Sequence, residues 1–206
     1  MRLGLYGGSF DPVHYGHLLL AECCRETLRL DEVWLIPAAT PPHKQTQQRA
    51  AAKHRLQMIE LALAGHEQIR ASPVEIDRGG PSYTVDTLRA LHGSREGDDL
   101  TFIVGGDMAS SLPAWREPEA VLELARLAVA EREEHRRQEI AERLGGLRGA
   151  RERVVFFTMP RLDISSSDIR RRVAEGRPVR WLVPGEVCDE IERRGLYAAA
   201  TGKALA

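Results

Sequence analysis

The sequence predicts a fold of the α/β class, in which a parallel β-sheet is covered by helices on both faces. Short apolar runs alternate with helical patterns along the whole chain, which is typical of such sheets. The 206 residues include 43% hydrophobic and 29% charged residues. This composition is that of an ordinary globular protein and excludes global disorder. The length favours one domain, spanning residues 1–206.

Strands are predicted where short apolar runs end at glycine, proline or polar residues. These runs are Leu3–Tyr6, Glu32–Ile36, Ile69–Ile76 with Pro73 inside it, Leu100–Val104, Leu127–Ala130 and Val154–Phe157. Helices are predicted where apolar residues recur at helical spacing, with Ser82 and Ser165 as N-terminal caps. They are His14–Leu28, Arg55–Ala64, Ser82–Leu91, Glu119–Leu124, Glu133–Leu147, Ser165–Ala174 and Pro184–Arg194. Long loops remain at Pro37–Ala52 and Gly105–Pro118.

Charge is balanced overall but uneven along the chain. The net charge of −1 argues against a protein that coats nucleic acid. Residues 33–59 nevertheless carry +4, and residues 161–180 carry +3, which indicates a locally basic cleft for polyanionic small molecules. The three cysteines do not form a zinc or disulfide spacing. We expect a cytoplasmic protein with no membrane partner, because no signal peptide or membrane span is evident. The sequence does not distinguish a monomer from a homo-oligomer.

The segment after the first predicted strand combines glycines with two histidines. It reads GGSFDPVHYGH over residues 7–17. Gly7 and Gly8 let a ligand approach the backbone closely, and the following helix points its positive end at the same place. His14 and His17 share one helical face, so they suit the stabilisation of phosphoryl charge. A plain turn, a metal-binding histidine pair and a nucleophilic histidine are the alternatives from spacing alone.

This pattern matches neither the Walker loop nor the dinucleotide fingerprint. It resembles the (H/T)xGH signature of the nucleotidyltransferase superfamily, whose second signature appears as Ile164–Arg170 (ISSSDIR). The resemblance implies a Rossmann-like, doubly wound sheet with a small C-terminal helical portion at residues 165–197. It also implies His14, His17 and Arg170 as catalytic residues. The implied ATP-binding residues are Gly7, Gly8, Ser9, Phe10, His17, Gly105, Arg132, Ser165, Ser166 and Arg170.

Further segments resemble those of the bacterial nicotinate-nucleotide adenylyltransferases. They are Pro41–Lys44, Pro81–Leu88, Gly105–Asp107 and Leu112–Trp115. The resemblance implies direct in-line transfer of an adenylyl group from ATP to nicotinate mononucleotide, with Mg²⁺ carried by the ATP phosphates and no protein metal site. The implied mononucleotide-binding residues are Ser9, His43, Lys44, Tyr83, Thr84, Asp107 and Trp115. Trp115 suits ring stacking, but a core position is the alternative, as a simple helix cap is for Tyr83 and Thr84.

Other family members and one other class of protein remain as alternatives. A nicotinamide-mononucleotide enzyme differs only in how the substrate carboxylate is recognised. Phosphopantetheine adenylyltransferases typically have threonine in place of His14, and cytidylyltransferases lack the segments around Tyr83 and Trp115. A non-catalytic nucleotide sensor is the alternative from outside the enzymes. The sequence departs from the family at Arg132, which is followed by Glu133 and Glu134 instead of Pro-Gly.

Overall fold

The computed structural model describes residues 1–40, 50–95 and 97–199. In this part of the chain, six strands form one parallel sheet in the order β3-β2-β1-β4-β5-β6. The strands are β1 (Arg2–Gly8), β2 (Glu32–Pro37), β3 (Ile69–Ala71), β4 (Asp99–Gly105), β5 (Arg126–Ala130) and β6 (Val154–Phe157). The order reverses between β1 and β4, as in the doubly wound Rossmann fold. The predicted fold class is therefore confirmed.

Ten α-helices cover the sheet in the described part of the chain. They are α1 (Tyr15–Leu28), α2 (Ala52–Ala62), α3 (Val74–Arg78), α4 (Thr84–Ser94), α5 (Gly106–Ser110), α6 (Pro118–Leu124), α7 (Glu134–Leu144), α8 (Ala150–Arg153), α9 (Ser166–Ala174) and α10 (Gly185–Arg194). A short 3₁₀ helix at Leu112–Ala114 follows α5. None of the described helices combines the length and the apolar character that a membrane span requires.

Each face of the sheet has its own hydrophobic core. Alternate residues of a strand point to opposite faces. Leu5 of β1 accordingly packs with α4, α6 and α7, whereas Tyr6 packs with α1, α2, α9 and α10. The C-terminal helices contribute Ile169 and Ile191 to this second core. They are thereby packed on the same face as α1, which begins at the histidine segment.

Three local predictions are wrong. The apolar run Ile69–Ile76 forms a strand only as far as Ala71, because Pro73 cannot donate to a sheet, and Val74 begins α3. Ser82 does not cap α4, since Tyr83 is the N-cap residue and the Ser82 hydroxyl accepts a hydrogen bond from the Ala39 N–H at 2.9 Å. The predicted loop Gly105–Pro118 contains α5 and the 3₁₀ helix.

Candidate active site

The candidate site lies where the neighbouring strands β1 and β4 end. Ligands of doubly wound folds bind at this switch point, outside the carboxyl ends of the strands. Gly7 and Gly8 end β1, and Gly105 ends β4. A Cβ atom built on Gly8 would lie 3.0 Å from the Phe10 ring, so a side chain there would displace the residues that follow. The absence of a side chain at Gly8 therefore lets the Phe10 ring pack closely against the end of β1.

His14 and His17 form a stacked pair at the start of α1. Their ring centroids are 3.6 Å apart, with an interplanar angle of 25°. The His14 backbone N–H donates to His17 Nδ1 at 3.2 Å. This nitrogen is therefore an acceptor, and neutral His17 carries its proton on Nε2, where it is a donor. Gly16 makes the stack possible, because a Cβ atom there would lie 3.1 Å from the His14 ring.

Both histidines are neutral near pH 7. Burial lowers the pKa of His14 to about 4. Burial, and then the proximity of His14, lower the pKa of His17 well below 6.5. Within the described residues, His14 Nδ1 is buried without a hydrogen-bond partner. The pair is thus suited to hydrogen bonding with an anion rather than to supplying positive charge.

Phe10 packs against His17 of this pair, and its own backbone conformation is strained. Its φ of 47° lies in the left-handed region, which bulky residues rarely adopt. The ring is 1% exposed and packs edge-on against His17 with centroids 5.0 Å apart. Phe10 is predicted to bind ATP. Because its ring is buried, only its backbone is available for that contact.

The two sequence signatures meet in space although about 150 residues separate them. Ser165 caps α9 by accepting from the Asp168 N–H at 3.1 Å. The Ser166 hydroxyl donates to the Pro12 carbonyl at 2.9 Å. Arg170 donates to the Asp11 carbonyl at 2.7 Å. The start of α9, where the Ser166 and Ser167 N–H groups have no partner within the helix, is thus fixed beside the start of α1.

Sequence reasoning missed Arg55 as a component of this region. Its side chain is 4% exposed, and it donates to the carbonyls of Ser9 at 2.8 Å, Ala38 at 2.6 Å and Ala50 at 3.1 Å. Arg55 thereby joins the ends of β1 and β2 to the start of α2. A signal was present, because Arg55 lies in register with Met58, Ile59 and Ala62 on the apolar stripe of a helix.

The residues predicted to bind the pyridine nucleotide lie on the opposite face of the sheet from α1, where Tyr83 and Trp115 pack against the core that contains Leu5. Trp115 is half-buried, meets Phe102 edge-on at 6.0 Å and donates from Nε1 to the Ser111 hydroxyl at 2.9 Å. The Tyr83 N–H is already donated to the Pro81 carbonyl at 3.1 Å. The first turn of α4 therefore offers a ligand the Thr84 N–H in preference to that of Tyr83.

A polar hollow of about 350 Å³ lies at the ends of β4 and β5. Gly105 and Arg132, both predicted to bind ATP, line it together. The Glu131 carboxylate accepts from the Arg132 N–H at 2.8 Å and pairs with Arg136 at 3.3 Å. Its charge is thus directed to the backbone and to Arg136. The exposed Asp107 carboxylate also pairs with Arg136, at 2.6 Å.

Most arginines of the span predicted to border a basic cleft are paired with carboxylates in the described part of the chain. Of the six arginines in residues 161–180, four form ion pairs with carboxylates, and they are Arg161, Arg171, Arg177 and Arg180. Arg170 is the arginine of this span that reaches the histidine segment. His43 and Lys44, predicted to bind the mononucleotide phosphate, lie outside the described residues.

Comparison with known proteins places the chain in a family. The cytidylyltransferase-like family model matches residues 5–172. A curated relative from Thermomicrobium roseum, named “Probable nicotinate-nucleotide adenylyltransferase”, is 45% identical over 95% of this chain and 91% of its own length. A relative of the same name from Geobacillus kaustophilus is 40% identical over 98% of this chain and 88% of its own. The chain belongs to the nicotinate-nucleotide adenylyltransferase family.

Solved structures support the fold of this family member. The chain is similar to Plasmodium falciparum nicotinic acid mononucleotide adenylyltransferase complexed with NaAD, with a TM-score of 0.75. The similarity covers 95% of this chain and 97% of that one, at 19% sequence identity. At this identity the comparison concerns the architecture alone, and it agrees with the doubly wound sheet described above.

Proposed function

We propose that the protein transfers an adenylyl group from ATP to nicotinate mononucleotide, giving deamido-NAD and pyrophosphate. The observation that carries the proposal is the junction of the two signatures, at which Arg170 donates to the Asp11 carbonyl beside the stacked histidines. The names of the curated relatives support this choice of substrates. The reaction thus joins the two nucleotides of a pyridine dinucleotide.

The reaction is a direct in-line displacement at the α-phosphorus of ATP. An oxygen of the mononucleotide 5′-phosphate forms the new P–O bond, and the bond to pyrophosphate breaks. A phosphate monoester is already ionised near pH 7, since its second pKa is about 6, so no general base is required. Catalysis then depends on positioning and electrostatics, and holding the two phosphates in line can supply about 7–11 kcal/mol.

The histidine segment stabilises charge that grows on the α-phosphate. Neutral His17 offers its Nε2–H, because Nδ1 is occupied by the His14 N–H. His14 lies against it, and the start of α1 adds backbone N–H groups with the positive end of the helix dipole. Ser166 and Arg170, with the start of α9, receive the leaving pyrophosphate. These groups suit an anion, and ATP enters as its Mg²⁺ complex, the metal bound by phosphate oxygens and water.

The mononucleotide binds on the side of Trp115 and α4. Trp115 stacks on the pyridine ring, and the N–H groups around Thr84 receive its carboxylate. Asp107 accepts from ribose hydroxyls, while Ser9, His43 and Lys44 meet the phosphate. An amide in place of the carboxylate leaves mismatched donors, which costs about 1–3 kcal/mol. We therefore expect kcat/KM to favour the acid by about 10-fold or more.

An assay with paired substrates tests the proposal. The protein is incubated with ATP, Mg²⁺ and either nicotinate mononucleotide, nicotinamide mononucleotide or phosphopantetheine. We expect pyrophosphate and the matching dinucleotide chiefly from the acid. A preference for another acceptor identifies one of the alternative enzymes, and binding of ATP without pyrophosphate from any acceptor identifies a nucleotide sensor.

A further inference from the structure

Asp11 is the point at which distant parts of the chain meet in the histidine segment. Its side chain is 1% exposed, and Oδ1 accepts from the Tyr197 hydroxyl at 2.6 Å and from the Ala50 N–H at 3.2 Å. Its backbone carbonyl accepts from Arg170 at 2.7 Å. Any shift of Asp11 therefore changes how the second signature sits against the first.

Tyr197 reaches Asp11 from the C-terminal end of α10. It lies two residues beyond Gly195, which ends the helix, and its φ of 64° is in the left-handed region. Leu196 and Tyr197 pack against the same core as α1. Burial, and then the Asp11 carboxylate, raise the pKa of Tyr197 far above its usual range, so the hydroxyl stays a donor. The hydrogen bond to Asp11 and the packing against the core thus hold Tyr197 in its strained conformation.

We infer that Tyr197 is a positioning residue for adenylyl transfer, acting through Asp11 on the histidine pair. His14 lies three residues after Asp11 and caps α1, so the peptides between them have little freedom. Without the Tyr197 hydroxyl, Asp11 Oδ1 keeps only the Ala50 N–H among its described donors. A buried carboxylate deprived of a donor reorients, and the start of α1 moves with it. The inference rests on the proposed function.

The first test separates catalysis from stability. Tyr197→Phe removes the hydroxyl alone, and we expect kcat to fall about 10- to 100-fold, since a displacement of about 1 Å has this effect. KM for both substrates stays within about 2-fold, because the binding surfaces keep their side chains. Ile191→Val is the matched control. It lies on α10 and is 1% exposed, and it lowers Tm by about 2–4 °C without touching Asp11. We expect its kcat to be unchanged.

A double-mutant cycle tests the route through the histidines. In a His17→Ala background, Tyr197→Phe should lower kcat by less than about 2-fold while lowering Tm as it does in the wild type, because coupled residues are not additive. Equal fold-losses of kcat in both backgrounds, or a wild-type kcat in Tyr197→Phe alone, would overturn the inference. An inactive wild-type chain overturns the proposed function instead, and the inference falls with it.

Discussion

The two sides of the switch point are built differently. On the β1–α1 side, Phe10 and Asp11 are 1% exposed and His14 is 5% exposed. The buried Arg55 donates to the Ser9 carbonyl, and the half-buried Arg170 donates to the Asp11 carbonyl. This side is a close-packed junction whose polar groups are directed by the fold.

On the β4–β5 side, most of the charged side chains are exposed to water. The carboxylate of Asp107 is 92% exposed where it pairs with Arg136, and that of Glu133 is 46% exposed where it faces Arg132 at 3.8 Å. Exposed ion pairs of this kind contribute about 0–1 kcal/mol to stability. The pairs can therefore exchange partners when a charged ligand arrives.

We propose that this difference in exposure separates the residues that stabilise charge from those that bind substrate. Donors that act on a transition state must be in place before the reaction, because reorganisation would consume the energy they supply. Binding tolerates side chains that rearrange, since each partner lost is replaced by another. We expect substitutions at the junction to lower kcat and substitutions on the exposed side to raise KM.

The largest effect is expected for His17→Ala. It removes the Nε2–H donor, and one such donor is typically worth about 10²–10³ in kcat. Steady-state rates with saturating ATP and nicotinate mononucleotide measure the loss, and circular dichroism confirms the fold. A folded variant with near wild-type kcat would place the charge stabilisation elsewhere and remove the contrast between the two sides.

Acid should destabilise the junction. Since the pKa of His14 is about 4 in the folded protein and 6.5 when unfolded, the unfolded state binds more protons between these values. Stability from this residue is therefore complete above pH 6.5 and is lost as the pH falls to about 4, by an amount on the order of 3 kcal/mol. Thermal unfolding from pH 7.5 to 4.5 measures it. His135→Gln, at a ring that is 68% exposed, is the matched control, and we expect its Tm at pH 7.5 to equal that of the wild type. A Tm independent of pH would contradict a buried neutral pair.

Trp115→Ala should raise the KM for the mononucleotide by about 10-fold, because stacking on one base is worth about 1–3 kcal/mol. The KM for ATP should change by less than about 2-fold. Trp181→Ala is the matched control, since this indole is 86% exposed. Equal effects of Trp115→Ala on both substrates would place Trp115 outside the pyridine pocket.

Arg132→Ala should have the smallest effect. We expect the KM for ATP to rise about 3-fold through the loss of one exposed phosphate contact, with Tm unchanged within about 1 °C. Arg148→Ala, which removes a 79% exposed arginine paired with Glu123, should alter neither quantity. If the two variants behave alike, Arg132 is a surface residue, as its acidic neighbours suggest.

The sequence was informative where a pattern is local and weak where distant segments meet. Short apolar runs and glycine pairs located β1 and β4, and the two signatures located the histidines and Arg170. The sequence predicts Ser82 as a cap, but its hydroxyl accepts from the Ala39 N–H, which only the folded chain brings near. The positive φ of Phe10 likewise follows from tertiary packing, not from residue type.

Arg55 and Tyr197 illustrate the same limit. The sequence correctly predicts a helix at Arg55. It does not predict that the guanidinium donates to three backbone carbonyls, because these carbonyls come from separate loops. Tyr197 lies 186 residues from Asp11 in sequence, and no spacing rule connects them. Periodicity thus predicted which elements form, whereas the contacts between the loops that end them required the structure.

We propose that the junction stabilises a direct transfer and that neither histidine becomes a nucleophile. The stereochemical course at the α-phosphorus tests it most directly, with an ATP analogue carrying sulfur at one defined α-phosphate oxygen. A single in-line displacement predicts inversion of configuration in the dinucleotide product. Retention would mean two displacements and a covalent adenylyl-enzyme, and would contradict the account.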